Sequence, residues 1–152
     1  MPSDSGQPPA GENMRMIQSI LMELEKNPQN VDLLVQAGNA YFDIGQFEKA
    51  IIYYKNALTG EPENAELLID LGVAYFNLGQ LDSALVLMQK ALHVEESHKQ
   101  GLYNIGIVYY NLGRMEQAIQ SWNNLIIKHP GSAEAQAAKE FIDQLKKQQT
   151  GT

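Results

Sequence analysis

Three histidines and 18 acidic side chains are the first candidates in this sequence for catalysis or metal binding. A predicted helix end separates His93 from His98, and neither they nor His129 form the H-x-x-x-H spacing that puts two imidazoles on one helix face. Glu95 and Glu96 fall in a predicted turn, as solvated surface carboxylates do. The sequence has no cysteine, no glycine-rich phosphate loop and no G-x-S-x-G motif. It therefore predicts no catalytic residue, no metal site, no cofactor and no enzymatic activity.

Composition and charge narrow the class of ligand. The 152 residues are 44% hydrophobic and 19% charged, which is typical of a globular protein, and the net charge is −7. An acidic chain lacks the basic stripe that a nucleic-acid backbone or an anionic membrane surface requires. No apolar run reaches the length of a membrane span, and no signal-peptide pattern opens the sequence. Cytoplasmic and bacterial extracytoplasmic locations both fit these features.

An internal repeat governs the organisation of the chain. Three segments of 34 residues, 31–64, 65–98 and 99–132, align without a gap. The shared positions are the fourth (Leu34, Leu68, Leu102), the eighth (Gly38, Gly72, Gly106), the eleventh (Tyr41, Tyr75, Tyr109), the fifteenth (Gly45, Gly79, Gly113) and the twentieth (Ala50, Ala84, Ala118).

The spacing of these residues predicts a pair of helices in each segment. Apolar residues at positions 4, 7 and 11 form one stripe of a first helix, here called helix A. Glycine at position 15 ends helix A because it adopts the left-handed conformation of a helix C-terminus without a Cβ clash. A second apolar stripe, such as Phe47, Ile51 and Tyr54, predicts helix B. Glycine at position 8 and alanine at position 20 let the two helices approach closely.

These residues resemble the tetratricopeptide repeat, with its Leu-Gly-x-x-Tyr and Ala-x-x-x-aromatic signature. The resemblance covers 102 of the 152 residues and implies an all-α fold, an α-solenoid in which helix-turn-helix repeats form a right-handed superhelix. Met88 and Trp122 stand where an aromatic residue such as Tyr54 is expected. Glu96 replaces the proline that closes a repeat, and we expect helix B of the second repeat to run slightly longer as a result.

Both ends of the array are predicted to carry capping helices. Residues 12–28 read as the second helix of a truncated repeat, since their apolar residues fall at spacings of three and four (Met14, Ile17, Leu21, Leu24). Residues 133–148 read as a C-terminal capping helix with Ser132 as its N-cap. Its predicted apolar face is Ala138, Phe141, Ile142 and Leu145. The Pro/Ser/Gly-rich residues 1–11 are expected to be a flexible lead-in.

Each helix A carries a second set of side chains, turned away from its core stripe, and in the family this face lines the concave groove that receives peptides. We call it the helix-A face. Its candidate partner-binding residues are Asp32, Val35, Asn39 and Phe42 in the first repeat, Glu66, Ile69, Asp70, Val73 and Phe76 in the second, and Tyr103, Asn104, Ile107 and Tyr110 in the third. Packing between neighbouring helices is the alternative use of its apolar members.

Charge indicates the kind of partner. The first two helices A contain no lysine or arginine, and the third has only Lys99 at its start. The resulting groove is acidic with an apolar floor and suits a protein or peptide with apolar and some basic side chains. We expect Asp70 to be exposed.

Chaperone-binding members of the family grip acidic C-terminal tails with lysine, arginine and asparagine side chains of their helices A. The matching positions here hold Val35, Asn39, Asp70, Gln100 and Asn104. Compared position by position, only Asn39 has the residue type that the family uses, and Asp70 would repel an acidic ligand, so no useful affinity for such tails is expected.

The sequence therefore predicts a protein–protein interaction module, an adaptor or assembly scaffold that holds an extended or helical peptide. Two alternatives stay open at this point. One is a structural scaffold that self-assembles, with a segment of one protomer in the groove of the next. The other is the soluble part of a bacterial membrane-anchored extracytoplasmic assembly or maturation factor, as the lead-in and the caps suggest.

Overall fold

The computed structural model describes residues 10–151, which form eight α-helices and contain no β-strand. The helices are α1 (Ala10–Lys26), α2 (Val31–Asp43), α3 (Phe47–Gly60), α4 (Ala65–Asn77), α5 (Leu81–Val94), α6 (Lys99–Asn111), α7 (Met115–Lys128) and α8 (Ala133–Thr150). They divide into two compact units, unit 1 with α1–α3 and unit 2 with α4–α8. None of these helices is both long enough and apolar enough to cross a membrane.

The turn between helix A and helix B has the same geometry in all three repeats. Gly45, Gly79 and Gly113 have φ angles of 76°, 76° and 74°, so the predicted left-handed conformation is confirmed. In the first repeat the amide of Gln46 donates to the carbonyl of Tyr41 and the amide of Gly45 donates to the carbonyl of Phe42, both at 2.9 Å. This pair of hydrogen bonds is the Schellman motif, which satisfies the last carbonyls of the helix.

A side-chain cap starts each of the helices α2, α4, α6 and α8. The residue just before the helix accepts a hydrogen bond from the backbone amide three residues later, and the four caps are Asn30, Asn64, His98 and Ser132. The predicted cap Ser132 is confirmed, with 3.0 Å between its Oγ and the amide nitrogen of Ala135. The role of His98 was not predicted: its Nδ1 accepts from the amide of Gly101 at 3.2 Å.

In unit 1, α2 packs against both α1 and α3. Gly38 of α2 lies against the ring of Tyr54 of α3, and a Cβ atom on Gly38 would come within 2.5 Å of that ring. On α1, Ile17 and Leu24 are buried as predicted, whereas Met14 is 44% exposed. Helix α1 begins at Ala10, two residues before the predicted boundary, so Ala10 and Gly11 belong to its first turn. The rest of the predicted flexible lead-in lies outside the described residues.

In unit 2 each helix packs against the next, and α6 also contacts both α4 and α8. The indole of Trp122 is fully buried in the core that α8 closes. Ala138, Ile142 and Leu145 of α8 belong to the same core, and the ring of Phe141 packs against it, so the predicted apolar face of this helix is confirmed.

The expected extension of helix B in the second repeat is wrong. Helices α3, α5 and α7 each have 14 residues, and each ends with a backbone amide that donates to the carbonyl four residues earlier. Loss of a proline removes an obstacle to a longer helix, but it adds no interaction that would extend one. Glu96 instead accepts a hydrogen bond of 3.0 Å from the Lys128 ammonium group.

Candidate protein-binding surface

The helix-A face of unit 2 is formed by side chains of α4 and α6. Glu66 is exposed, and Tyr110 is 39% exposed. Six other predicted residues are half-buried: Asp70, Val73, Phe76, Tyr103, Asn104 and Ile107. Apolar side chains that are neither buried nor solvated in full are typical of ligand-binding surfaces.

A cavity of about 170 Å³ opens between α4 and α6. Its lining residues are Val73, Phe76, Asn77, Met88, Asn104, Ile107 and Val108. Met88 and Val108 are each 1% exposed and form its floor. The structure thus brings four of the predicted residues together, namely Val73, Phe76, Asn104 and Ile107. The other three lining residues, Asn77, Met88 and Val108, were not predicted, although Met88 at a position where the repeat expects an aromatic residue was a visible signal.

Two predicted residues of unit 2 take part mainly in packing. Ile69 is 3% exposed, and its Cδ1 lies about 3.1 Å from the point that a Cβ atom on Gly101 would occupy. Tyr103 lies beside Phe141, with 6.4 Å between the ring centroids, and its carbonyl accepts a hydrogen bond from the indole of Trp122 at 3.1 Å. Little of the Ile69 side chain is therefore available to a ligand.

The charged groups make this face acidic. Asp70 is half-buried, so the expectation of an exposed carboxylate was wrong. Burial, and to a lesser extent the neighbouring Glu66 carboxylate, together raise the pKa of Asp70 from 3.8 to about 6. Lys99, the one base of these helices A, lies 3.6 Å from the carboxylate of Glu134 on α8. The positive charge on this part of the surface is thus offset by an acidic partner.

The helix-A face of unit 1 lies on α2, where Asp32 and Asn39 are exposed and Val35 and Phe42 are half-buried. The side-chain oxygen of Asn39 accepts a hydrogen bond of 2.7 Å from the Tyr54 hydroxyl. The ring of Phe42 makes an edge contact with Phe47, with 5.1 Å between centroids. Asn39 also lines a shallow cavity of about 470 Å³, together with Met16, Ser19, Ile20, Gln36, Ala40 and Asp43.

Two of the three histidines, His98 and His129, have structural partners. His98 caps α6. The Nε2 atom of His129, in the turn after α7, lies 2.6 Å from the carbonyl oxygen of Ser97, in the turn between α5 and α6. Within residues 10–151, no three histidine or acidic side chains converge in a way that could hold a metal ion.

Models of the tetratricopeptide repeat match three stretches of the chain: residues 38–79, residues 65–97 and residues 100–132. No curated protein matches the chain.

Solved structures share the fold over most of the chain. A crystal structure of MamA is 26% identical with a TM-score of 0.75, over 88% of this chain and 80% of MamA. The first TPR of Spaghetti (RPAP3), bound to the HSP90 peptide SRMEEVD, is 25% identical with a TM-score of 0.70, over 77% of this chain and 93% of that one. A tetratricopeptide repeat protein from Parabacteroides merdae is 24% identical with a TM-score of 0.79, over 90% of this chain and 54% of that one.

The repeat matches, the glycine-ended hairpins and these structural neighbours agree with one another. The chain belongs to the tetratricopeptide repeat family: it is an all-α solenoid with the fold of a protein–protein interaction module.

Proposed function

We propose that this protein is a non-catalytic adaptor or assembly scaffold, and that α4 and α6 bind an extended or helical segment of a partner protein. The observation that carries the proposal is the cavity between these helices, which Val73, Phe76 and Ile107 line. The acidic pair Glu66 and Asp70 lies in the preceding turns of the same helix α4. Concave apolar surfaces with a few polar groups at the edge are the usual form of a binding site.

The charges favour a partner segment with both apolar and basic side chains. A lysine or arginine of the partner would meet Asp70 and Glu66, while an apolar neighbour in the same segment would cover Phe76. The RPAP3 domain binds an acidic HSP90 peptide on the same fold, which supports peptide binding as the mode. The acidic face here favours a ligand of the opposite charge.

The test begins with capture of the partner from the native host, identified by mass spectrometry, followed by affinity measurements at two salt concentrations. We expect Phe76→Ala to weaken binding by about 2 kcal/mol, because binding energy concentrates in central aromatic side chains. Asp70→Lys should weaken binding, slow association and flatten its salt dependence. Glu140→Lys, on the exposed face of α8, makes the same change of charge away from the site and serves as the control.

Thermal melts of each variant show whether it is folded. If folded Phe76→Ala and Asp70→Lys both bind as tightly as the wild type, the helix-A face of unit 2 is not the site. The next candidates are then the exposed bases of helices B, such as Lys49, Lys55 and Lys90. Light scattering across a concentration series tests the self-assembly alternative, since a scaffold of that kind grows with concentration in the absence of any partner.

A further inference from the structure

One side chain of each helix B faces the glycine at position 8 of its own helix A. These side chains are Tyr54 against Gly38, Met88 against Gly72 and Trp122 against Gly106. Two of the three are aromatic, and the third, Met88, forms the floor of the cavity between α4 and α6. Met88, the one aliphatic residue of the three, therefore lies where the proposed binding face has a cavity.

The equivalent place one repeat further along unit 2 is filled by rings. Trp122 stacks on Phe141 of α8, with 5.2 Å between the centroids and 13° between the planes. In the 34-residue frame, Trp122 corresponds to Met88 and Phe141 corresponds to Ile107. At these two positions a pair of stacked aromatic side chains thus stands between α6 and α8, whereas the aliphatic pair Met88 and Ile107 lines a cavity between α4 and α6.

The size and lining of the cavity match an aromatic ring. Its volume of about 170 Å³ is close to that of a cavity of about 150 Å³, lined by aliphatic and phenylalanine side chains, that binds benzene. The thioether of Met88 makes favourable contacts with ring edges, and Phe76 offers a ring for an edge-to-face contact. Asn104 at the rim can donate to and accept from a peptide backbone.

We infer that this cavity is the specificity pocket of the site and takes one aromatic side chain of the partner segment. Asp70 lies three residues before Val73 on α4, so the same segment should carry a lysine or arginine within a few residues of the aromatic one. This inference rests on the proposed function, and it narrows the partner from any apolar and basic segment to an aromatic and basic one.

A small probe tests the pocket by itself. Protein labelled with ¹³C at the methionine methyl groups is titrated with N-acetylphenylalaninamide, and the Met88 signal is assigned by its loss in Met88→Phe. We expect a ring-current shift at Met88 and none at Met14, Met16 or Met22 of α1. N-acetylalaninamide should leave Met88 unshifted. An unshifted Met88 at a saturating concentration of the phenylalanine probe would overturn the inference.

A displayed library of random peptides tests the pocket within the binding site. Peptides selected on the wild type should be enriched in an aromatic residue near a base. Met88→Phe restores the ring found in the other repeats without adding a hydroxyl group, so it should fill the pocket and keep the fold. Met88→Phe should lower the affinity of those peptides by about tenfold or more, whereas Met22→Phe, on the exposed surface of α1, should leave their affinity unchanged.

The outcomes separate the two proposals. If the selected peptides lack an aromatic residue and respond to Phe76→Ala but not to Met88→Phe, the pocket inference fails and the proposed function stands. If N-acetylphenylalaninamide shifts Met88 but no peptide binds the helix-A face, the proposed function fails while the preference of the pocket for a ring stands.

Discussion

The hydroxyl group of Tyr54 donates a hydrogen bond to the side-chain oxygen of Asn39, across 2.7 Å and from one helix of a repeat to the other. Tyr54 is 2% exposed, whereas Asn39 belongs to the helix-A face of unit 1. One residue of that face is thus tied to the interior of its own repeat, and its oxygen is already engaged. The NH₂ group of Asn39 can still donate to a ligand, and its oxygen has a second lone pair that can accept.

A double-mutant cycle measures this contact. Asn39→Ala and Tyr54→Phe should each lower the free energy of unfolding by about 1 kcal/mol, and their effects should be less than additive, because the second change removes a bond that is already lost. Urea unfolding of the wild type, both single variants and the double variant gives the coupling energy. Asn123→Ala, on the exposed surface of α7, is the control and should change little. Strictly additive effects would show that the bond contributes nothing.

The raised pKa of Asp70 makes stability depend on pH with a definite sign. Between pH 3.8 and about 6 the folded protein holds a proton that the unfolded chain has released, so this group lowers stability as pH rises through that range. Asp70→Asn should therefore stabilise the protein at pH 7.5, by about 1–2 kcal/mol after allowance for solvent around a half-buried group, and change little at pH 4. Glu140→Gln is the control. An equal effect of Asp70→Asn at both pH values would contradict the assignment.

The same group should make binding of a basic segment depend on pH. A lysine or arginine of the partner stabilises the ionised carboxylate, so affinity should fall as pH drops below about 6 and Asp70 becomes neutral. Affinity measured at pH 5 and pH 7.5 should differ for the wild type and much less for Asp70→Asn. A pH dependence that survives in Asp70→Asn would assign it to another group.

Acidic chaperone tails should not bind this protein. Of the positions that match the tail-binding residues of the family, only Asn39 keeps the type, and its oxygen accepts from Tyr54. Asp70 is half-buried at another of them and would repel a carboxylate. Titration calorimetry with the peptide SRMEEVD, which the RPAP3 domain binds, should give no measurable heat at micromolar concentrations. Micromolar affinity would overturn this reading of the face.

Gly106 should tolerate no side chain, because a Cβ atom there would overlap the indole of Trp122. Gly106→Ala should cost about 1–3 kcal/mol of stability, as overpacking of a filled core does. The cost should shrink when Trp122→Met is added, since Gly72 beside Met88 leaves more room in the second repeat. Gly131→Ala is the control, because nothing lies within 4 Å of the added methyl group. Thermal melts of Gly106→Ala, Trp122→Met, the double variant and Gly131→Ala test this, and an equal cost of Gly106→Ala with and without Trp122→Met would contradict it.

Features set by the local backbone were predictable from the sequence. The left-handed glycines Gly45, Gly79 and Gly113 and the cap Ser132 follow from the conformational preferences of single residues. The repeat period then fixes which helices pack, since identical stripes recur every 34 residues. For the same reason the eight helices of residues 10–151 and the solenoid class could be predicted and are confirmed.

Features that depend on contacts between distant residues were missed. The exposure of Asp70 depends on which side chains cover α4, and a position on a helix does not supply that information. The contact between Lys99 and Glu134 joins two residues 35 positions apart. His98 was missed as a cap because imidazole is not among the usual capping groups, although its Nδ1 can accept as a carboxylate oxygen does. The cavity floor could have been predicted from the sequence, since Met88 stands at the position where the other two repeats have the aromatic residues Tyr54 and Trp122.

The outer surface of α8 bears on the engineering of longer arrays. At the positions where the other helices A carry leucine, glycine and tyrosine for their own helix B, α8 has the exposed side chains Gln136, Glu140 and Asp143. A hairpin partner grafted onto that surface would have to desolvate an amide and two carboxylates without compensation. Additional modules are therefore best inserted at the junction of two existing repeats, such as that between His98 and Lys99, with α8 retained as the C-terminal cap.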